Sequence, residues 1–150
     1  MKKSKGFSLV ELIIVIAIMA ILVGILAPNL MKNIEKSRYS KDKTIVDNVA
    51  TAFINALADP DAYDSLYGTS SGSSSGSSID GVEKTATAWT SEGGSVWQQE
   101  LKSNLKDMLK QKFSSKKAGK GDSVGDCKVT LSADGGVKVT SKNGAIVVEK

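Results

Sequence analysis

The sequence predicts an α+β chain: a long N-terminal helix whose second half packs against a small antiparallel β-sheet head that carries a second amphipathic helix. Three observations lead there. Leu12 to Ala27 is an unbroken run of 16 residues without a charge or a strongly polar side chain. Between Pro28 and Ala58 the apolar residues recur at helical spacing rather than continuously. From Cys127 to Glu149 apolar and polar residues alternate between turn signals, the period of a half-buried strand. A chain of 150 residues holds one folded head of this kind, not comfortably two.

The apolar run comes first. At 1.5 Å per residue it spans about 24 Å, and the flanks Phe7 to Val10 and Leu30 to Met31 extend it to the thickness of a bilayer. A secretion signal removed after the run would be cut near Ala27, where Pro28 follows and fits poorly. A plain membrane anchor leaves Glu11 unexplained. A carboxylate at the head of such a run is expensive in lipid, about 2.5–3.5 kcal/mol at the bilayer centre and less near the interface. It needs a partner, and nothing else in the run is charged. A cut after Gly6 would create one, the new α-amine of Phe7, able to neutralise the carboxylate between packed neighbours.

Lys5-Gly6-Phe7-Ser8-Leu9-Val10-Glu11-Leu12 resembles the class III signal of type IV pilins and pseudopilins. The resemblance implies that residues 1–6 are a leader removed by a prepilin peptidase, that Gly6 precedes the cut, and that Phe7 becomes N-methylated. It makes Glu11 the assembly carboxylate. It also implies the pilin fold, a single-pass membrane precursor with its N-terminus inside, and an extracellular homopolymer built through an assembly platform and a motor ATPase. Two functions share this signal: a type IV pilus subunit for adhesion or motility, and a pseudopilin of a type II secretion or competence (DNA uptake) system. Lys2, Lys3 and Lys5 favour an inside leader. They also account for three of the four net positive charges, leaving +1 from Phe7 onward. The pI therefore gives no ground for nucleic-acid binding.

Pro28 removes one helical hydrogen bond and crowds the carbonyl of Gly24, a disruption of about 3 kcal/mol. Gly24 is itself about 1 kcal/mol poorer than alanine in a helix. Gly24 and Pro28 are thus read as a weak point. Either the proline ends the membrane helix near residue 31 or, as in many pilins, the stretch bends or partly melts in the filament.

Beyond it, Ile34, Ile45, Val49, Phe53 and Leu57 form an apolar stripe, with Lys32, Glu35, Lys36, Arg38, Lys41, Asp42, Lys43 and Asp47 on the other faces. One helix over residues 7–58 is expected, membrane-spanning over about 7–31, with Asp59-Pro60 as its stop. A head over residues 59–150 follows. Asp59, Asp61 and Asp64 are read as turn residues rather than a calcium loop. Residues 68–78 are a Ser/Gly-rich loop. Residues 95–113 read as a helix capped by Ser95, with Trp97, Leu101, Leu105, Met108, Leu109 and Phe113 as its core stripe. Lys102, Lys106 and Lys110, joined by Lys112, Lys116, Lys117 and Lys120, form a solvated face open to DNA, anionic polymers or an acidic neighbour.

Residues 126–149 read as a β-meander. Asp134-Gly135-Gly136 marks one turn, and Asn143-Gly144 marks a two-residue hairpin. Cys127 shares parity with Val129 and Leu131 and is read as a small buried hydrophobe. A single cysteine forbids an intrachain disulfide, which sets the chain apart from many pilins of double-membraned bacteria and suits the Gram-positive type. With no histidine and no recognisable nucleophile motif, no enzyme, no cofactor and no metal site is expected.

Overall fold

The computed structural model describes residues 7–67, 81–91 and 96–150. The leader residues 1–6, the Ser/Gly loop 68–78 and the expected cap Ser95 lie outside them. The chain divides into two compact units, one ending at Ser37 and the other running from Arg38 to Lys150.

Helix α1 spans Leu9–Leu57 and contains Pro28. In the first unit its apolar side chains, from Leu9 to Met31, are all exposed. In the second unit it buries Asp42, Val46, Val49, Ala50, Ala52, Phe53, Ala56 and Leu57. The 42–46–49–53–56 spacing alternates four and three residues, so one stripe faces the core. The expected stripe differs at its start: Ile34 is exposed and Ile45 half-buried. Asp59-Pro60 ends α1 as expected, but a second helix, α2 at Pro60–Tyr67, follows at once. Asp59 is the reason. Its Oδ1 accepts the Asp61 amide (2.9 Å), an N-cap bond with proline at the first helical position.

The sheet is a four-stranded antiparallel meander in the order β1–β2–β3–β4: Val82–Thr85, Lys128–Leu131, Val137–Thr140 and Val147–Glu149. Register pairs Val129 with Val139, Leu131 with Val137 and Val139 with Val148, which puts the valines on one buried face. Lys128 and Lys138 point the other way and meet Glu83 (2.7 Å) and Glu149 (3.8 Å), exposed pairs that add little. The Asn143-Gly144 turn is wider than a two-residue hairpin. The Ser141 amide donates to the Ile146 carbonyl, because Asn143 Oδ1 takes the Ser141 hydroxyl and the Ala145 amide inside the loop. Gly144 has φ +73°, where a side chain is strained.

Helix α3, Ala86–Ser91, follows β1 and brings Trp89 into the core. The Trp89 indole donates to the Val129 carbonyl (3.1 Å) and meets Trp97 edge-on at 6.0 Å. Helix α4 is Val96–Leu105, shorter than the expected 95–113. The Leu105 carbonyl accepts both Met108 and Leu109 amides, tightening the last turn, and the chain then leaves the helix. Phe113 is buried as expected but stands in an extended segment. Its amide donates to Asp122, and its carbonyl accepts from Gly121. The lysines therefore do not make one helical stripe: Lys102 is on α4, and Lys106 to Lys120 follow in turns and loop.

Asp42 holds that loop. Fully buried on α1, it accepts the Ser114 amide (3.1 Å), the Ser114 hydroxyl (3.0 Å) and the Ser115 amide (2.7 Å). Burial by itself raises its pKa, but the Ser114 and Ser115 hydrogen bonds outweigh it and hold the carboxyl below the ordinary 3.8. A depressed folded pKa stabilises the fold above the unfolded value and is lost as pH falls through the folded one. Asp42→Ala leaves the serine amides without an acceptor, and a loss of about 2–4 kcal/mol is expected. Urea unfolding of the full chain in detergent, followed by tryptophan fluorescence, checks it: the wild type should lose stability below about pH 4, and the variant should lose less.

Candidate functional site

The head of α1 is built from four consecutive residues. Ser8 precedes the helix, and its carbonyl accepts the Leu12 amide (3.3 Å). The Ser8 amide donates to Glu11 Oε2 (3.0 Å). This is the back-reaching half of a capping box, Ser-x-x-Glu, in which the carboxylate satisfies a backbone donor that the first turn leaves over. The negative charge also lies at the positive end of the helix dipole. Glu11 is thus held pointing back along the chain, toward the side from which Phe7 enters. Phe7 is 89% exposed. Sequence reasoning asked for a partner for Glu11 and overlooked Ser8, although the Ser-x-x-Glu spacing is a readable local signal.

Behind this cap, α1 is apolar all round. Leu12, Ile16, Met19, Val23 and Leu26 each expose more than half of their surface, and their large apolar neighbours on the other faces are exposed as well. Gly24 and Pro28 lie inside the helix, and a Cβ added at Gly24 would meet nothing within 4 Å. The glycine is therefore not required by packing within the chain. The helix is long and apolar enough to cross a membrane.

The N-terminal segment matches the family model for the prokaryotic N-terminal methylation motif over residues 1–27. The chain is also 46% identical over 55 residues to the type IV wide pilus major component PilA4 of Thermus thermophilus. The chain thus carries the N-terminal methylation motif, and over part of its length it is similar to a type IV pilin. The matched stretch covers 37% of this chain and 36% of the relative, so the chain spans little more than a third of the pilin it resembles. No solved structure matches.

Among the described residues, the remaining candidates do not converge on a site. Asp59 is committed to capping α2. Asp61 lies in its first turn, and the Asp64 side chain is outside the described part. Cys127 is buried, and burial, with Asp126 beside it, pushes its thiol from 9.0 to about 12, which suits the inert hydrophobe expected.

Glu11→Ala removes the acceptor of the Ser8 amide. Hydrogen exchange in detergent should be faster at Ser8 and the next few amides by a factor of about 2–10, while Val46 to Leu57 exchange as in the wild type.

Proposed function

We propose that this chain is the structural subunit of a type IV pilus, cut after Gly6, N-methylated at Phe7 and polymerised through α1 into a surface filament. The observation that carries the reading is an uninterrupted apolar helix, exposed on every face, that begins with a single carboxylate at Glu11. Water does not tolerate such a surface, at about 25 cal/mol per Å². Two environments do: the bilayer before assembly and the bundle of other copies afterwards. Residues 1–6 are the leader, 7–31 the part exchanged between the two environments, and Arg38 onward the part that folds round the second half of the helix.

Exchange from lipid into a bundle brings little hydrophobic gain, because both are apolar. The polar pair then supplies the selectivity. The Phe7 amine released by the cut and a Glu11 carboxylate of a neighbouring copy neutralise each other only when helices are staggered by the right amount. Glu11 enters that pairing already turned toward the N-terminus by its bond to Ser8. Extraction from lipid against this small gain needs external work, which a motor ATPase and an assembly platform would provide. Gly24 and Pro28 lie where the helix is weakest, so bending within a filament would start there. The relative's name, a major component of a wide pilus, supports the filament reading over a pseudopilin.

Two measurements test this. Gly6→Ile should leave the leader in place, seen as an intact mass heavier by residues 1–6, whereas the wild type should carry one added methyl group on Phe7. Glu11→Ala should be cut normally and yield few or no filaments by electron microscopy of cells; normal filament yield would overturn the assembly role. Short envelope-confined assemblies in the wild type, with secretion or DNA uptake dependent on them, would move the chain to the pseudopilin group.

A further inference from the structure

The second unit carries an arrangement that polymerisation through α1 does not use. Asp42 binds the loop at Ser114 and Ser115. Two further contacts seat the same loop: Lys117 Nζ lies 4.8 Å from the centre of the Tyr39 ring, and Asn143 Nδ2 donates to the Lys117 carbonyl (2.9 Å). Residues 112–120 hold four lysines and no acidic residue. On α1, Lys41 and Lys43 adjoin Asp42, and at about 100° per residue they point to either side of the docked loop. Lys41, Lys43, Lys116, Lys117 and Lys120 are all exposed. Asp42 is buried, and two more acids of this region are paired with other lysines, Asp122 with Lys142 (3.8 Å) and Asp47 with Lys150 (3.0 Å).

This group is tied to the end of the apolar run. Tyr39 is the eighth residue after Met31, a separation of about 12 Å in helical form and at most about 28 Å for any path of the chain. We infer that these five lysines form a basic collar that docks on the anionic phospholipid headgroups of the outer membrane surface and holds the head there until the subunit is extracted. The inference rests on the membrane-inserted precursor proposed above.

Charge and tether favour lipid over the other anions. A cation held near an anionic surface gains about fivefold in affinity, within a reach of about 8–10 Å in physiological salt. The collar cannot leave that vicinity while α1 is inserted. Single-stranded nucleic acid asks for exposed aromatic platforms, whereas here the Tyr39 ring is covered by Lys117 and its hydroxyl donates to the Ala145 carbonyl. Outer cations also oppose the orientation that the leader lysines favour, so topology does not account for them. Loop docking by a buried carboxylate fixes Lys116 and Lys117 against α1 instead of leaving them on a free loop.

The test uses the full chain in nanodiscs of phosphatidylcholine alone, or of phosphatidylcholine with phosphatidylglycerol at roughly 2:1. Lysine acetylation is read residue by residue by mass spectrometry. With phosphatidylglycerol, Lys41, Lys43, Lys116, Lys117 and Lys120 should label about 3–10 times more slowly, Lys128 and Lys138 should not change, and roughly 0.5 M salt should abolish the difference. Lys116→Gln with Lys120→Gln should reduce the protection at Lys41 and Lys117, with tryptophan fluorescence unchanged. Equal labelling in both disc types overturns the collar and leaves the filament reading intact. Protection by duplex DNA or by added copies of the chain in phosphatidylcholine discs, without a phosphatidylglycerol effect, assigns the surface to that partner and overturns the lipid proposal. A chain that does not co-elute with discs overturns the inserted precursor and the collar together.

Discussion

One helix has to satisfy two solvents, and most of the structure follows from that constraint. The first part of α1 presents apolar surface in every direction, which suits lipid or a bundle of helices. The second part presents one stripe, from Val46 to Leu57, and leaves the rest to water. The head is the cover for that stripe. Its sheet turns Val129, Leu131, Val137 and Val139 inward, and Trp89, Trp97, Leu101 and Leu105 complete the cluster. A domain without a disulfide depends on this burial and on a few buried polar ties.

Those ties are chemically different from the core they adjoin. Asp42 satisfies loop donors on neighbouring residues, Tyr39 reaches the last sheet turn through Ala145, and Lys150 reaches Asp47 and Thr51. Each joins α1 to a segment at least 72 residues away in sequence. Apolar burial is non-directional and tolerates sliding; these bonds are directional and define where along the helix the head sits. Gly125 adds a steric version of the same specificity. A Cβ there would collide with the Thr87 hydroxyl, which instead donates to the Gly125 carbonyl (3.0 Å).

Much of the architecture was legible because it is periodic or local. The 16-residue apolar run, the stripe on α1 and the alternation in β2 and β3 can be read without tertiary information. The parts that were not legible depend on distant partners. Phe113 stands four residues after Leu109 and fits a helical stripe as well as an extended one; its pairing with Asp122 and the pull of Asp42 on Ser114 decide between them. Asp42 looks like one more charge on a solvated face until its serine donors are in place. Strand β1, Val-Glu-Lys-Thr, has no pattern of its own and exists through its ladder with β2. Asp59-Pro60 reads equally as a stop and as a start, and it serves as both. At the candidate site, the carboxylate stood out because it is out of place in an apolar run, whereas the small hydroxyl residue that positions it did not.

The ties between α1 and the head also have a mechanical meaning. If a fibre of such subunits is pulled along its axis, tension runs through the backbone of α1. From Tyr39 to Leu57 the helix is clamped by side-chain bonds and a packed core, so elongation there requires breaking both together. From Leu9 to Met31 the apolar side chains are exposed instead, and that length holds Gly24 and Pro28, the two residues least suited to a helix interior. In a fibre assembled as proposed, compliance and folding stability would then fall on different lengths of a single helix, and the fibre would stretch without unfolding the surface it displays.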